Sequence, residues 1–230
     1  MSESPSTPTQ PWWPIGVAIA FALTSAIILS QMGRVVWCAQ GDLMPWSFDI
    51  WSAHNSQHIL DPYTFTHVLH GVMFYGVLAF LFSDGAKRKA FLARILSAQT
   101  IASIGNKVWF RAVILAFGKR HLRIRLMIAV VLESIWEVVE NSQWIIEKYR
   151  EATISLDYNG DSVMNSMADI GACIGGFMLA ASLPVWGSVA FFIVVELFLA
   201  WWIKDSLILN IIMLTFPIDA IKQWQSGGTP

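Results

Sequence analysis

The sequence predicts an all-α fold: a multi-pass transmembrane helical bundle of about five spans, with a basic helical connection lying at one interface. Hydrophobic residues make up 55% of the chain and charged residues only 13%, a balance too apolar for an ordinary soluble domain. Several apolar runs approach the ~20 residues needed to cross a hydrocarbon core. The 12 tryptophans belong to the residue type that collects at membrane–water boundaries. The formal net charge of −1 gives no electrostatic basis for a nucleic-acid partner, so membrane lipids are the expected surroundings.

Residues 1–11 read as a polar tail, followed by a single helical membrane domain over 12–217 and a second tail over 218–230. The leader MSESPSTPTQ has no Lys or Arg, so the run at 12–32 is expected as a retained helix, not a cleaved secretory signal. Further spans are expected at 66–82, 126–146, 163–183 and 185–203. The run at 206–217 is too short for a span and stops at Pro217, which makes it interfacial or re-entrant. Ten Lys and Arg residues fall between Lys87 and Arg125. That connection is therefore expected on the cytoplasmic side, with its apolar stretches lying as interfacial helices over 87–121. With the amino terminus also inside, the loop 34–65 and the segment from Glu140 to Asp161 come out on the outer face. Cys38 and Cys173 offer neither a disulfide framework nor a zinc spacing and read as two unpaired thiols.

Polar residues within the apolar runs mark the candidate site. Glu133, Glu137 and Glu140 share one helical stripe inside LMIAVVLESIWEVVENSQWII, and carboxylates at such depth face a bundle interior or wet cavity. His67 and His70, three residues apart on a helix, can direct two imidazoles toward one metal ion. Asp161, Asn165 and Asp169 recur every four residues and share a face. Arg150 is the nearby cation for an anionic group. The functional reading makes His67, His70, Glu137 and Glu140 the acid/base groups, and His67 and His70 ligands of a divalent metal. Arg150, Asp161 and Asn165 then bind a small-molecule or lipid ligand. The structural alternative is a buried polar network that only holds the helices together. A third reading is a proton or cation path using Glu133, Asp169 and Glu196 as well. Asp61 before Pro62 reads as a helix cap, and Gly171 and Gly175 as a small-residue packing face. Nucleotide-binding, zincin and serine-hydrolase motifs are absent from the sequence.

The strings SQHILDPYTFTHVLHG, ESIWEVVENSQWIIEKYREATISLDYNGDSVMNS and KDSLILNIIM resemble a family of bacterial multi-pass inner-membrane proteins without an assigned activity. The resemblance runs from about Gln57 onward, leaves Asp84 to His121 outside the family pattern, and implies a cell inner-membrane location. The order Glu140, Gln143, Arg150, Asp161, Asn165 is also similar to VanZ-type membrane proteins, which implies a ligand at the cell envelope.

Overall fold

The computed structural model describes residues 11–85, 121–152 and 158–227. Among them all the regular secondary structure is helical, apart from an isolated parallel bridge between Trp46 and Leu60 in the long connection that follows the first helix. In order the helices are α1 (Trp13–Gln31), α2 (Thr64–Leu81), α3 (Leu122–Glu140), α4 (Gln143–Ala152), α5 (Val163–Ser182), α6 (Val185–Trp202), α7 (Leu207–Thr215) and α8 (Asp219–Gln225). Helices α1, α2, α5 and α6 are long and apolar enough to cross a membrane. The interfacial helices expected over 87–120 lie outside the described residues.

The span expected at 126–146 differs in its limits. Helix α3 already contains Arg123 and Arg125, which the sequence places in the connection, and it stops at Glu140 instead of continuing to 146. The break follows from Asn141 and Ser142, residues whose side chains compete for backbone groups. Asn141 Nδ2 donates back to the Glu137 carbonyl at 3.0 Å, while Ser142 Oγ accepts the Ile145 amide at the start of α4. α3 is not lipid-facing all round, because it is wedged among α1, α2 and α5. Val130 packs with Ala18 and Ile170, and Ala129 packs with Leu78 and Phe177. That central position is why an acidic stripe is tolerated on this helix.

Among the described helices, α2 and α5 pack against each other most extensively, and two glycines make the approach possible. A Cβ on Gly71 would overlap the Cys173 carbonyl, and one on Gly176 would overlap the Val68 carbonyl. The sequence points instead to Gly171 and Gly175. That expectation is corrected, since a Cβ at either of these meets nothing within 4 Å. Tryptophans gather at helix ends, with Trp12, Trp13 and Trp186 exposed at one end of the bundle and Trp144 and Trp201 at the other. This is the placement expected for residues at two membrane boundaries.

Past α6 the chain turns back. The sequence leaves Glu196 without an evident partner. In the structure its Oε1 accepts the Leu207 amide at 3.0 Å and its Oε2 the Ile208 amide at 3.1 Å, capping α7 from a neighbouring helix. Helix α7 therefore lies against the bundle end, where Leu214 packs on Ile145, Ile146, Tyr149 and Tyr158. The segment beyond 217 is more than a tail, because α8 returns Gln225 Nε2 to the buried Asp205 carboxylate at 3.2 Å. Replacing Glu196 by Ala should cost about 1–2 kcal/mol, as for loss of a helix cap. The check is hydrogen exchange, which should accelerate across 207–215 and leave α5 unchanged.

Candidate functional site

The ends of α1 and α3 and the beginnings of α2 and α5 lie at one end of the bundle, which brings distant polar segments together. The Val163 and Met164 amides donate to the Val35 and Val36 carbonyls, and the Ser162 amide to that of Ser56. Ser162 Oγ caps α5 by accepting the Asn165 amide. The turn before it depends on Gly160, whose φ is 89° and whose missing Cβ leaves room for Arg34 and Asn141.

His67 stands at the centre. Its Nδ1 donates to Glu133 Oε1 at 2.6 Å and lies 3.3 Å from Glu137 Oε1, while its Nε2 faces Asp169 Oδ2 at 4.0 Å. His70 Nδ1 lies 3.0 Å from both Glu133 oxygens. Glu133 and Glu137 are fully buried. Among the described residues, the ion pairs of this cluster are all with histidine, and no Lys or Arg lies within 4.0 Å of its carboxylates. Neither oxygen of Glu137 accepts a hydrogen bond among the described residues, nor do Glu140 Oε2 and Asp169 Oδ1. Buried carboxylate oxygens without donors are costly in a low-dielectric interior and call for a proton or a cation.

Glu140 and Asp161 lie next to this centre, each bound by a tyrosine. Tyr149 Oη donates to Glu140 Oε1 and Tyr158 Oη to Asp161 Oδ1, both at 2.9 Å. Asn141 completes the arrangement. Its Nδ2 donates to Asp161 Oδ2, and its Oδ1 accepts the Asp161 amide, both at 2.7 Å. Burial nevertheless raises the pKa of Asp161 above the ordinary carboxylate value, with the Tyr158 and Asn141 hydrogen bonds opposing it. Burial raises both tyrosine hydroxyls well above 10.0, with the neighbouring carboxylates adding to it. They therefore act as donors, not as bases. Asn165 donates to the His58 carbonyl at 2.8 Å and to Asp61 Oδ2 at 3.3 Å. Asp61 Oδ1 accepts the Thr64 amide, the capping role that its place before Pro62 predicts.

Among the sequence candidates, His67, His70, Glu137, Glu140, Asp161 and Asn165 thus form one contiguous region. Arg150 stands apart from the carboxylates, with Nε donating to the Tyr158 carbonyl at 2.6 Å and a second nitrogen to Asn159. It holds the 158–160 turn in shape. Tyr149, Tyr158 and Asn141 are site residues that the sequence reading passes over. The relevant signal for Asn141 is an Asn directly after an acidic helix.

Two cavities meet this region. A polar chamber of about 30 Å³ is lined by His67, Glu140, Asp161, Asn165, Asp169 and Asn210, and such a volume suits a water molecule or an ion. A wider cavity of about 330 Å³ is lined by polar groups, His67, His70, Glu133 and Glu140, together with apolar ones that include Met73, Phe74, Leu132, Trp136, Ile211 and Leu214. Ligand-capable atoms group in two sets, His67 with His70 and Glu133, and His67 with Glu137 and Glu140. The second set fits a cation better, because both Glu137 oxygens and Glu140 Oε2 lack donors among the described residues. In the first set, the His67–Glu133 hydrogen bond resembles the carboxylate–histidine pair that orients a metal-ligating imidazole.

A family model described as "Protein of unknown function (DUF2585)" matches residues 29–106 and 103–227. The chain belongs to this family. The two matches run together through 84–121, so the basic connection lies within the family region, contrary to what the motif strings imply. The chain is similar to a UPF0314 protein of Paracoccus denitrificans, 41% identical over 94% of this chain and 93% of the relative. It is similarly related to UPF0314 proteins of Novosphingobium aromaticivorans, 39% identical over 92% and 91%, and of Brucella anthropi, 38% identical over 96% of both chains. No solved structure matches, and these matches do not show the VanZ-type likeness.

Proposed function

We propose that this protein is a multi-pass inner-membrane protein, with α3 as its fifth span, whose His67-centred cluster holds a divalent cation and receives the polar headgroup of a lipid or envelope precursor. The basic connection lies on the cytoplasmic side in this reading, so the cluster opens toward the outer face. The observation that carries it is the mixed lining of the 330 Å³ cavity, which combines carboxylates and imidazoles with apolar side chains. Such a space is headgroup-sized, and acyl chains can remain in the surrounding bilayer. The cation is supported by the buried Glu137, Glu140 and Asp169 oxygens that no donor satisfies. His67, Glu137 and Glu140 would hold it, and it would supply a positive charge for an anionic headgroup. A hydrolytic or transfer step at the same place would draw on His70, Glu137 or Glu140 for proton transfer.

Wild-type protein extracted from membranes of phosphatidylethanolamine and phosphatidylglycerol should retain a lipid through native mass spectrometry, and His67→Ala should lose it. Retention unaffected by His67→Ala, or no retention at all, contradicts the headgroup reading. Proton or cation flux in reconstituted vesicles, without lipid retention, would favour the ion-coupled alternative. That alternative draws on the same buried carboxylates.

A further inference from the structure

The loop between α1 and α2 carries a second cluster of metal-ligating side chains, distinct from the one centred on His67. Cys38 and His58 are buried, His54 is half-buried, and ligand-capable atoms of all three lie within 4.8 Å of one another. Cys38 Sγ is 3.4 Å from His54 Nδ1, and the same nitrogen is 3.2 Å from His58 Nε2. Asp42 Oδ2 stands 3.9 Å from it as well.

A ring nitrogen offers one in-plane bonding direction, either a proton or a lone pair. Three groups converging on one nitrogen exceed that capacity, whereas groups arranged around a shared ion need not bond to each other at all. The spacing agrees with the second arrangement. In a tetrahedral site with Zn–S of about 2.3 Å and Zn–N of about 2.0–2.1 Å, neighbouring sulfur and nitrogen ligands are about 3.6 Å apart and two nitrogens about 3.3 Å.

The surroundings orient the ligands. His58 Nδ1 meets the Met44 carbonyl, which can only accept, so Nδ1 carries the proton and Nε2 keeps its lone pair. Such an outer partner fixes the tautomer of a metal-ligating histidine. Asp42 Oδ1 accepts the Met44 amide at 3.0 Å, and Trp37 Nε1 donates to the Asp42 carbonyl at 2.6 Å, leaving Oδ2 on the His54 side. The loop is closed by the Ser47 amide on the Leu60 carbonyl and the Leu60 amide on that of Pro45, both at 3.0 Å.

We propose that Cys38, His54 and His58, with Asp42 Oδ2 beside them, form a binding site for a thiolate-seeking transition-metal ion of the Zn²⁺ class. A thiolate with two imidazoles selects such an ion over the hard cations that an oxygen-rich set would take. The ion would clip the loop over the polar end of the bundle. His58 and Gln57 there present their carbonyls to Asn165 and Ser162 of the α5 cap.

The test uses full-length protein in detergent, stripped with a chelator and titrated with Co²⁺. Wild type should develop a thiolate-to-cobalt charge-transfer band that saturates and is displaced by Zn²⁺. The band should vanish in Cys38→Ser and persist in Glu133→Gln. In a background that carries His67→Ala and Glu137→Gln, Zn²⁺ affinity should fall more than about 100-fold on adding Cys38→Ser, beyond the losses typical of outer-shell changes. Wild type that never shows the band, or a band that survives Cys38→Ser, overturns the site and leaves a hydrogen-bonded Cys–His cluster. Alkylation of Cys38 in wild type gives a test independent of any variant. Zn²⁺ should slow it at least about tenfold, because the metal occupies the reacting thiolate, and a chelator should restore the rate. A rate indifferent to Zn²⁺ also overturns the proposal.

Discussion

Alanine at Gly71 or Gly176 is expected to cost about 3 kcal/mol or more of stability, at or above the upper end for overpacked positions. The added methyl group meets backbone, the Cys173 carbonyl in one case and the Val68 carbonyl in the other, so no side-chain rotation relieves it. Helices α2 and α5 would have to separate. His67 and Asp169 sit on these two helices, and the gap between His67 Nε2 and Asp169 Oδ2, 4.0 Å, would widen with them. Alanine at Gly171 or Gly175 meets nothing and should be neutral or stabilising by up to about 1 kcal/mol, the helix preference for Ala over Gly. Thermal unfolding of the four purified variants checks the contrast. Equal effects at all four positions would show that the helices do not approach through Gly71 and Gly176.

Glu133→Gln is the second large effect, expected at about 3 kcal/mol, in the range for removing one member of a buried charged pair. Glu133 is the shared acceptor of His67 and His70. An amide in its place keeps one acceptor oxygen and turns a donor toward an imidazole. His70→Ala should be milder by itself, since His67 still reaches Glu133. Because both changes remove the same contact, the double variant should fall short of the sum of the two by about 1 kcal/mol or more. Glu137 couples to this pair through His67, 3.3 Å from it, and Asp161 through the Asn141 link between the Glu137 carbonyl and the Asp161 carboxylate. Thermal melts of the single and double variants measure these couplings. Simple additivity at His70 and Glu133 would mean that they do not act as one network.

How much of this was legible in the sequence depended on whether the physics was local. The apolar runs of α1, α2, α5 and α6 declare themselves, because helix period and bilayer thickness act within one segment. The stripe of Glu133, Glu137 and Glu140 was equally readable, and burial of Glu133 and Glu137 agrees with it. The end of α3 was not, because apolar Trp144, Ile145 and Ile146 continue the pattern while Asn141 and Ser142 break the backbone by local hydrogen bonding. The packing glycines differ from the sequence expectation for a different reason. A GxxxG spacing identifies small residues on a helix, but only the partner's position decides which glycine is pressed against a carbonyl. The cluster of Cys38, His54 and His58 was invisible as a spacing, since its ligands are brought together by a folded loop and not by one helix face. Glu196, isolated among aromatic and aliphatic residues, finds its donors in α7 only after the chain turns back.

The most direct test of the central claim is the metal content of the Cys38→Ser variant, which removes the thiolate of the loop cluster and leaves the His67-centred cluster intact. Purified near neutral pH without chelator, that variant should retain a single divalent ion by elemental analysis, and adding His67→Ala with Glu137→Gln should remove it. Absence of metal from the Cys38→Ser protein, or a content unchanged by the added substitutions, would contradict a cation at His67, Glu137 and Glu140 and leave a proton-sharing network in its place.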